Sequence, residues 1–219
     1  SEAVFRILEG ARYPISHSPP AALAGDVFAR LLARPCRILV IAAHGIHAKR
    51  AADGRYRSGV VLSDGLLLSA AEIGLMETVP DLVFLSCCHL GKIGSGSDDQ
   101  RLAASLAREL IDMGVRCVVA AGWEVRDDAA LTFSETFFTH MAVHGARFAD
   151  AIFLARRAAL DAHPDCNTWG AYQAYGDPAF QLRLNAGATR DEAPLLAPEE
   201  LLDWLEQLRL DTRLPGASK

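Results

Sequence analysis

The chain has 219 residues, enough for one sizeable domain with an appendage. Its apolar share of 51% and charged share of 22% are those of a globular protein rather than a disordered or fibrous one. A net charge of −5 offers no basic face to nucleic acid or to an anionic membrane, and no apolar run approaches the ~20 residues of a spanning helix.

In chain order, "AVFRIL" (3–8) reads as a strand and "PPAALAGDVFARLLAR" (19–34) as a helix with proline near its start. "CRILVIAA" (36–43) is apolar throughout, the pattern of a strand buried on both faces. "SGVVLSDGLLLSAAEIGLM" (58–76) predicts a hairpin turning at Asp64-Gly65, then a helix that Ser69 caps with Glu72 three residues on. "DLVFLS" (81–86) is a second buried strand. "DDQRLAASLARELIDMG" (98–114) is a helix stopped by Gly114, and "RCVVAAGW" (116–123) is a third strand. Two helices follow, about 127–143 and 147–162, broken at "VHGAR", and "AYQAYGDPAFQLRL" closes the pattern in extended form.

Strands alternating with helices predict a three-layer α/β/α sandwich around a mainly parallel sheet. Beyond Asn185 the composition becomes linker-like, and "PEELLDWLEQLRL" (198–210) reads as a short amphipathic helix. The expected organisation is one domain over 1–185 and an extension over 186–219. The chain opens at Ser1 with no signal-peptide pattern, so it reads as a module of a longer protein. Five cysteines (Cys36, Cys87, Cys88, Cys117, Cys166) are an odd count, and three lie in or beside apolar runs. That usage fits a reducing, cytoplasmic compartment.

In an open α/β sheet, reacting groups gather at the carboxyl ends of the strands. Here those ends carry His44-Gly45, Cys87-Cys88-His89, and Trp123 followed by Asp127-Asp128. A cysteine nucleophile needs a base close in space, and a histidine 44 residues upstream is near the ~50-residue offset of caspases. Adjacent residues on a strand face opposite ways, so Cys87 and Cys88 cannot share one role. Other readings fit less well. A zinc set from His44, His47, Cys88 and His89 lacks Cys-x-x-Cys or His-x-x-x-His spacing. "GKIGSGS" (91–97) matches neither phosphate-loop template. Neither a metal nor a cofactor is expected. His89 is a rival base, too near the sulfur in the chain to reach it in line. His47 lies in an expected loop, and His144 follows a helix. Asp127 and Asp128 begin a helix, where dipole stabilisation and substrate binding are both open.

The ordered set "ILVIAAHG", "SGVVLSDGLLLSAAEI", "LVFLSCCHLG", "RCVVAAGWEVRDDAA" and "GDPAF" resembles the CHAT family of caspase-like cysteine peptidases, relatives of separases, over about 36–180. The resemblance implies His44 as general base and Cys88 as nucleophile, with the amides of Gly45 and Cys88 as oxyanion donors. Cys87 stands where the family usually has alanine, and His89 and Leu90 replace its acidic and threonine positions. The resemblance places Leu131 at the specificity pocket, while Trp123 reads as a packing residue at the sheet edge that shapes the pocket wall, and Asp127 and Asp128 are candidates for a negative wall in substrate binding. Leu131 occupies a position that is acidic in separases, which argues against a strict preference for arginine. The resemblance also implies a protein substrate, and further domains or an activating partner in a bacterial regulatory or defence protein. The alternative is a catalytically silent interaction module of the same family.

Overall fold

The computed structural model describes residues 2–16, 23–33, 36–50, 56–63, 66–76, 78–89 and 97–182; positions 44–50, 56–58, 70, 87–89, 97–103 and 105 are described by their backbone. Among these residues six strands form one sheet: β1 (Ile38–Arg50), β2 (Tyr56–Val61), β3 (Leu67–Leu68), β4 (Leu82–His89), β5 (Cys117–Ala121) and β6 (Tyr172–Gly176). They lie in the order β3-β2-β1-β4-β5-β6. β1, β4 and β5 are parallel, as crossover connections require, while β2, β3 and β6 add antiparallel flanks.

Strand alternation divides the core between two faces. Leu82 and Phe84 of β4 and Cys117, Val119 and Ala121 of β5 join α1 (Glu2–Gly10), α5 (Asp127–Phe138) and α6 (Phe148–Ala162) in one apolar cluster. Val83, Leu85, Val118 and Ala120 join α2 (Ala24–Ala33), α3 (Ala70–Ile73) and α4 (Ser97–Asp112) in the other. The result is a three-layer α/β/α sandwich. A short helix, α7 (Thr168–Ala171), leads into β6.

The expected stop signals work as local chemistry demands. Glu72 accepts hydrogen bonds from the Ser69 amide (2.8 Å) and hydroxyl, and Ser69 Oγ accepts one from the Ala71 amide at 3.2 Å. This closes the capping box of α3. Gly114, at φ +104°, ends α4 in a Schellman turn, with Val115 N–H bonded to Leu110 O at 3.0 Å and Gly114 N–H to Ile111 O at 2.9 Å. The helix expected over 127–143 closes in a π-helical turn, Thr139–Val143, and the break at "VHGAR" follows it, with Gly145 at φ +61°. At the end of β6, Gly176 has φ +112°, and a Cβ there would stand 2.0 Å from Arg116 O, so only glycine lets the edge strand approach β5 this closely.

Three expectations are corrected. Residues 3–8 are part of helix α1, not a strand: Val4 and Leu8 are buried, Ile7 and Ala11 join the same core, and 4, 7, 8, 11 is helical spacing. A six-residue segment, "AVFRIL", is too short to separate the two states by itself. β1 runs on past position 43 to Arg50 because β2 pairs with it, Lys49 facing Arg57, so position 47 is in a strand rather than a loop. β4 likewise continues beyond position 86 to His89, held by β1. β2 and β3 pair with Val61 opposite Leu67, and the Asp64-Gly65 turn lies outside the described residues. The boundary at 185, the 198–210 helix and residues 91–96 also lie outside them.

Candidate active site

Parallel pairing of β1 with β4 sets the register at the carboxyl rim: Ala43 opposite Cys87, His44 opposite Cys88, and Gly45 opposite His89. Neighbouring strands are about 4.8 Å apart, so positions 44 and 88 are adjacent across the sheet. Parity assigns each pair to a face. Position 88 follows Leu82, Phe84 and Ser86, and position 44 follows Ile38 and Val40, on the face covered by α1, α5 and α6. Position 87 follows Val83 and Leu85 onto the α4 face.

β5 is shorter than β4. Among the described residues their pairing ends at Leu85 opposite Ala120, so the β5-facing edge of β4 is open from Ser86 onward. Beyond the end of β5, Trp123 packs its ring edge 3.5 Å from where Gly170 would carry a Cβ. The Trp123 Nε1 is buried and has no hydrogen-bond partner among the described residues. Asp127 and Asp128 occupy the first turn of α5, where carboxylates favour the helix dipole. Leu131 is 43% exposed on the same helix.

Asp128 belongs to an ion-pair cluster that the sequence did not indicate. Arg126 binds Asp128 Oδ1 and Asp165 Oδ2, each at 2.6 Å, and its backbone N–H donates to Thr168 Oγ1 at 3.0 Å. His163 Nδ1 lies 3.0 Å from Arg126 Nη2 and its Nε2 lies 2.9 Å from Thr132 Oγ1. Thr132 Oγ1 also donates to Asp128 O at 3.1 Å, and His163 Nδ1 lies 3.5 Å from Asp128 Oδ2. The cluster ties the loop bearing Trp123 to the α6–α7 connection.

Hydrogen bonds from Arg126 are the main reason that the Asp128 and Asp165 carboxyls lie below the usual carboxylate range. Hydrogen bonds to Asp165 and then Asp128 hold the Arg126 guanidinium above its ordinary value. Depressed carboxyl values mean that this stabilisation is complete above the ordinary carboxylate pKa and is lost as pH falls through the folded-state values. Arg126→Ala is therefore expected to lower the urea midpoint slightly at pH 7, with the gap to wild type closing as pH drops toward 3. A gap that stays constant over that range contradicts the assignment.

Two residues at the rim escaped the sequence reading. Ser86 Oγ lies 3.0 Å from the hydroxyl of Tyr172, which is fully buried, and both groups lie on the face of position 88. Nothing local in "AYQAYGDP" marks Tyr172, because its partner is 86 residues away. Among the described thiols, burial pushes Cys117 up to about 12 and also raises Cys36, which leaves either a poor nucleophile near neutrality. No group of three metal-ligating side chains occurs among the described residues. No helix among them is long and apolar enough to cross a membrane.

A family model described as CHAT domain matches residues 4–177. No curated protein matches the chain.

Proposed function

The chain belongs to the CHAT domain family, a caspase-like and protease-related group, and on that premise we propose that it is a cysteine endopeptidase acting on proteins through a His44/Cys88 dyad. The observation that carries this reading is the register of β1 and β4, which makes the two positions direct neighbours on one face of the sheet rim.

In the proposed reaction, His44 takes the thiol proton of Cys88 and the thiolate attacks the scissile carbonyl. The tetrahedral oxyanion is met by the amides of Gly45 and Cys88. Collapse of the intermediate breaks the C–N bond, and His44 returns its proton to the leaving amine. Water, deprotonated by His44, then hydrolyses the thioester, and the proton goes back to the sulfur.

Substrate contacts are proposed for Trp123, Asp127, Asp128 and Leu131. Asp128 is already bonded to Arg126, and Leu131 offers an apolar surface, so a strict demand for a basic residue before the cut is not expected. The protein is proposed to work in the bacterial cytoplasm as the protease module of a regulatory or defence protein.

The test is to incubate the intact parent protein with a peptide library and read new N-termini by mass spectrometry. Cleavage that iodoacetamide blocks and a chelator spares is expected. Absence of new N-termini, together with an unreactive Cys88, favours the interaction-module alternative instead.

A further inference from the structure

Past Leu85, β4 has a ladder partner on the β1 side alone among the described residues, and this half-supported stretch, Ser86–His89, carries Cys88. A side-chain bond crosses the gap on the other side. Tyr172, the first residue of β6, pairs with Ala121, the last of β5, and its hydroxyl meets Ser86 on β4 at 3.0 Å. The tyrosine thus reaches from β6 past the end of β5 to the strand beyond.

The tyrosine is a rigid anchor. Its side chain is 0% exposed, and its ring stacks on Phe133 at 4.2 Å and 16°. Phe84 lies 5.4 Å away, its ring tilted by 33°. Its carbonyl accepts a 2.8 Å bond from Arg156 Nη2, and the preceding residue, Ala171, accepts one of 2.8 Å from the Gly122 amide. A buried phenol in an aromatic cluster loses its bond to water and needs a fixed partner, which Ser86 supplies.

Resting on the peptidase reading, we propose that Tyr172 and Ser86 are a positioning pair for the nucleophile, their hydroxyl–hydroxyl bond pinning the open end of β4 and thereby the placement of Cys88 against His44. Ser86 does not touch the sulfur in this account. Residues two apart on a strand are separated by about 6.6 Å, beyond hydrogen-bond reach. The pair acts through the backbone, in a reaction where a misplacement of about 1 Å can cost up to about a hundredfold in rate.

The test is a double-mutant cycle in the full chain: Ser86→Ala, Tyr172→Phe and the combination, with Ser86→Thr as the rescue. The probe is a peptidyl acyloxymethyl ketone, with capture at Cys88 followed by mass spectrometry and kinact separated from KI. Each single variant is expected to lower kinact about tenfold while KI holds, and the double variant to fall no further than the worse single. Ser86→Thr keeps the hydroxyl and is expected to restore the rate. A merely structural role would shift the thermal midpoint and leave kinact of the folded fraction unchanged. Unaltered kinact in Ser86→Ala, or single losses that multiply in the double variant, overturns the pairing while leaving the peptidase reading intact. A wild-type Cys88 captured no faster than in the urea-unfolded chain overturns both.

Discussion

Cys88→Ala is expected to abolish proteolysis, a loss of about a thousandfold or more, while Cys87→Ala keeps the rate within about twofold of wild type. The contrast follows from one fact of strand geometry. Position 88 shares its face and register with position 44, and position 87 shares its face with Val83 and Leu85 under α4. His44→Ala should match Cys88→Ala in cleavage, because a thiol without its base is mostly protonated near neutrality. Gel-resolved cleavage of a protein substrate measures all three. Equal losses at Cys87 and Cys88 contradict the account.

The largest expected effect on stability is at Phe84. It is 1% exposed on β4, and its ring lies 5.2 to 5.6 Å from those of Phe137, Phe138 and Tyr172, with Phe133 at 6.4 Å. Truncation to alanine leaves a cavity that the surrounding rings of α5 and β6 cannot close, and a cost of about 3–5 kcal/mol is expected. That is a large part of the roughly 5–15 kcal/mol available to a domain. Urea unfolding followed by circular dichroism reads the loss. Leu131→Ala is the control: at 43% exposure it should stay within about 0.5 kcal/mol of wild type. If both substitutions cost the same, the aromatic cluster is not the centre of the core.

Phe84 also shows why the fold was legible in the sequence. An unbroken apolar run such as "LVFL" has no polar face, so it must be sandwiched, and helices on both sides follow. Ser69 with Glu72, and Gly114, mark element ends through local bonds that any reader of the chain can foresee. What failed had a different origin. α1 is too short for its period to be distinguished from a strand's, and only packing against α5 settles it. Residues 44–50 are mixed and polar, and they stay extended because β2 supplies hydrogen bonds, not because their pattern asks for it.

The candidate site was legible to a similar depth. Histidine and cysteine at the ends of apolar strands point to one rim, and the pairing of β1 with β4 brings positions 44 and 88 together there. The supporting contacts were hidden. Ser86 with Tyr172, and Arg126 with Asp165, join residues far apart in the chain, and no spacing rule connects them. Asp128 illustrates the same limit from the other side. Its place at the head of α5 left two roles open, and only the 2.6 Å bond to Arg126 reveals how much of its charge is already engaged.

The dyad itself is tested most directly by locating the covalent adduct that a peptidyl acyloxymethyl ketone leaves on the protein. The account predicts a thioether on Cys88 in the wild type and in Cys87→Ala, and its loss in His44→Ala. An adduct on Cys87, or one on Cys88 that forms equally fast without His44, would contradict it.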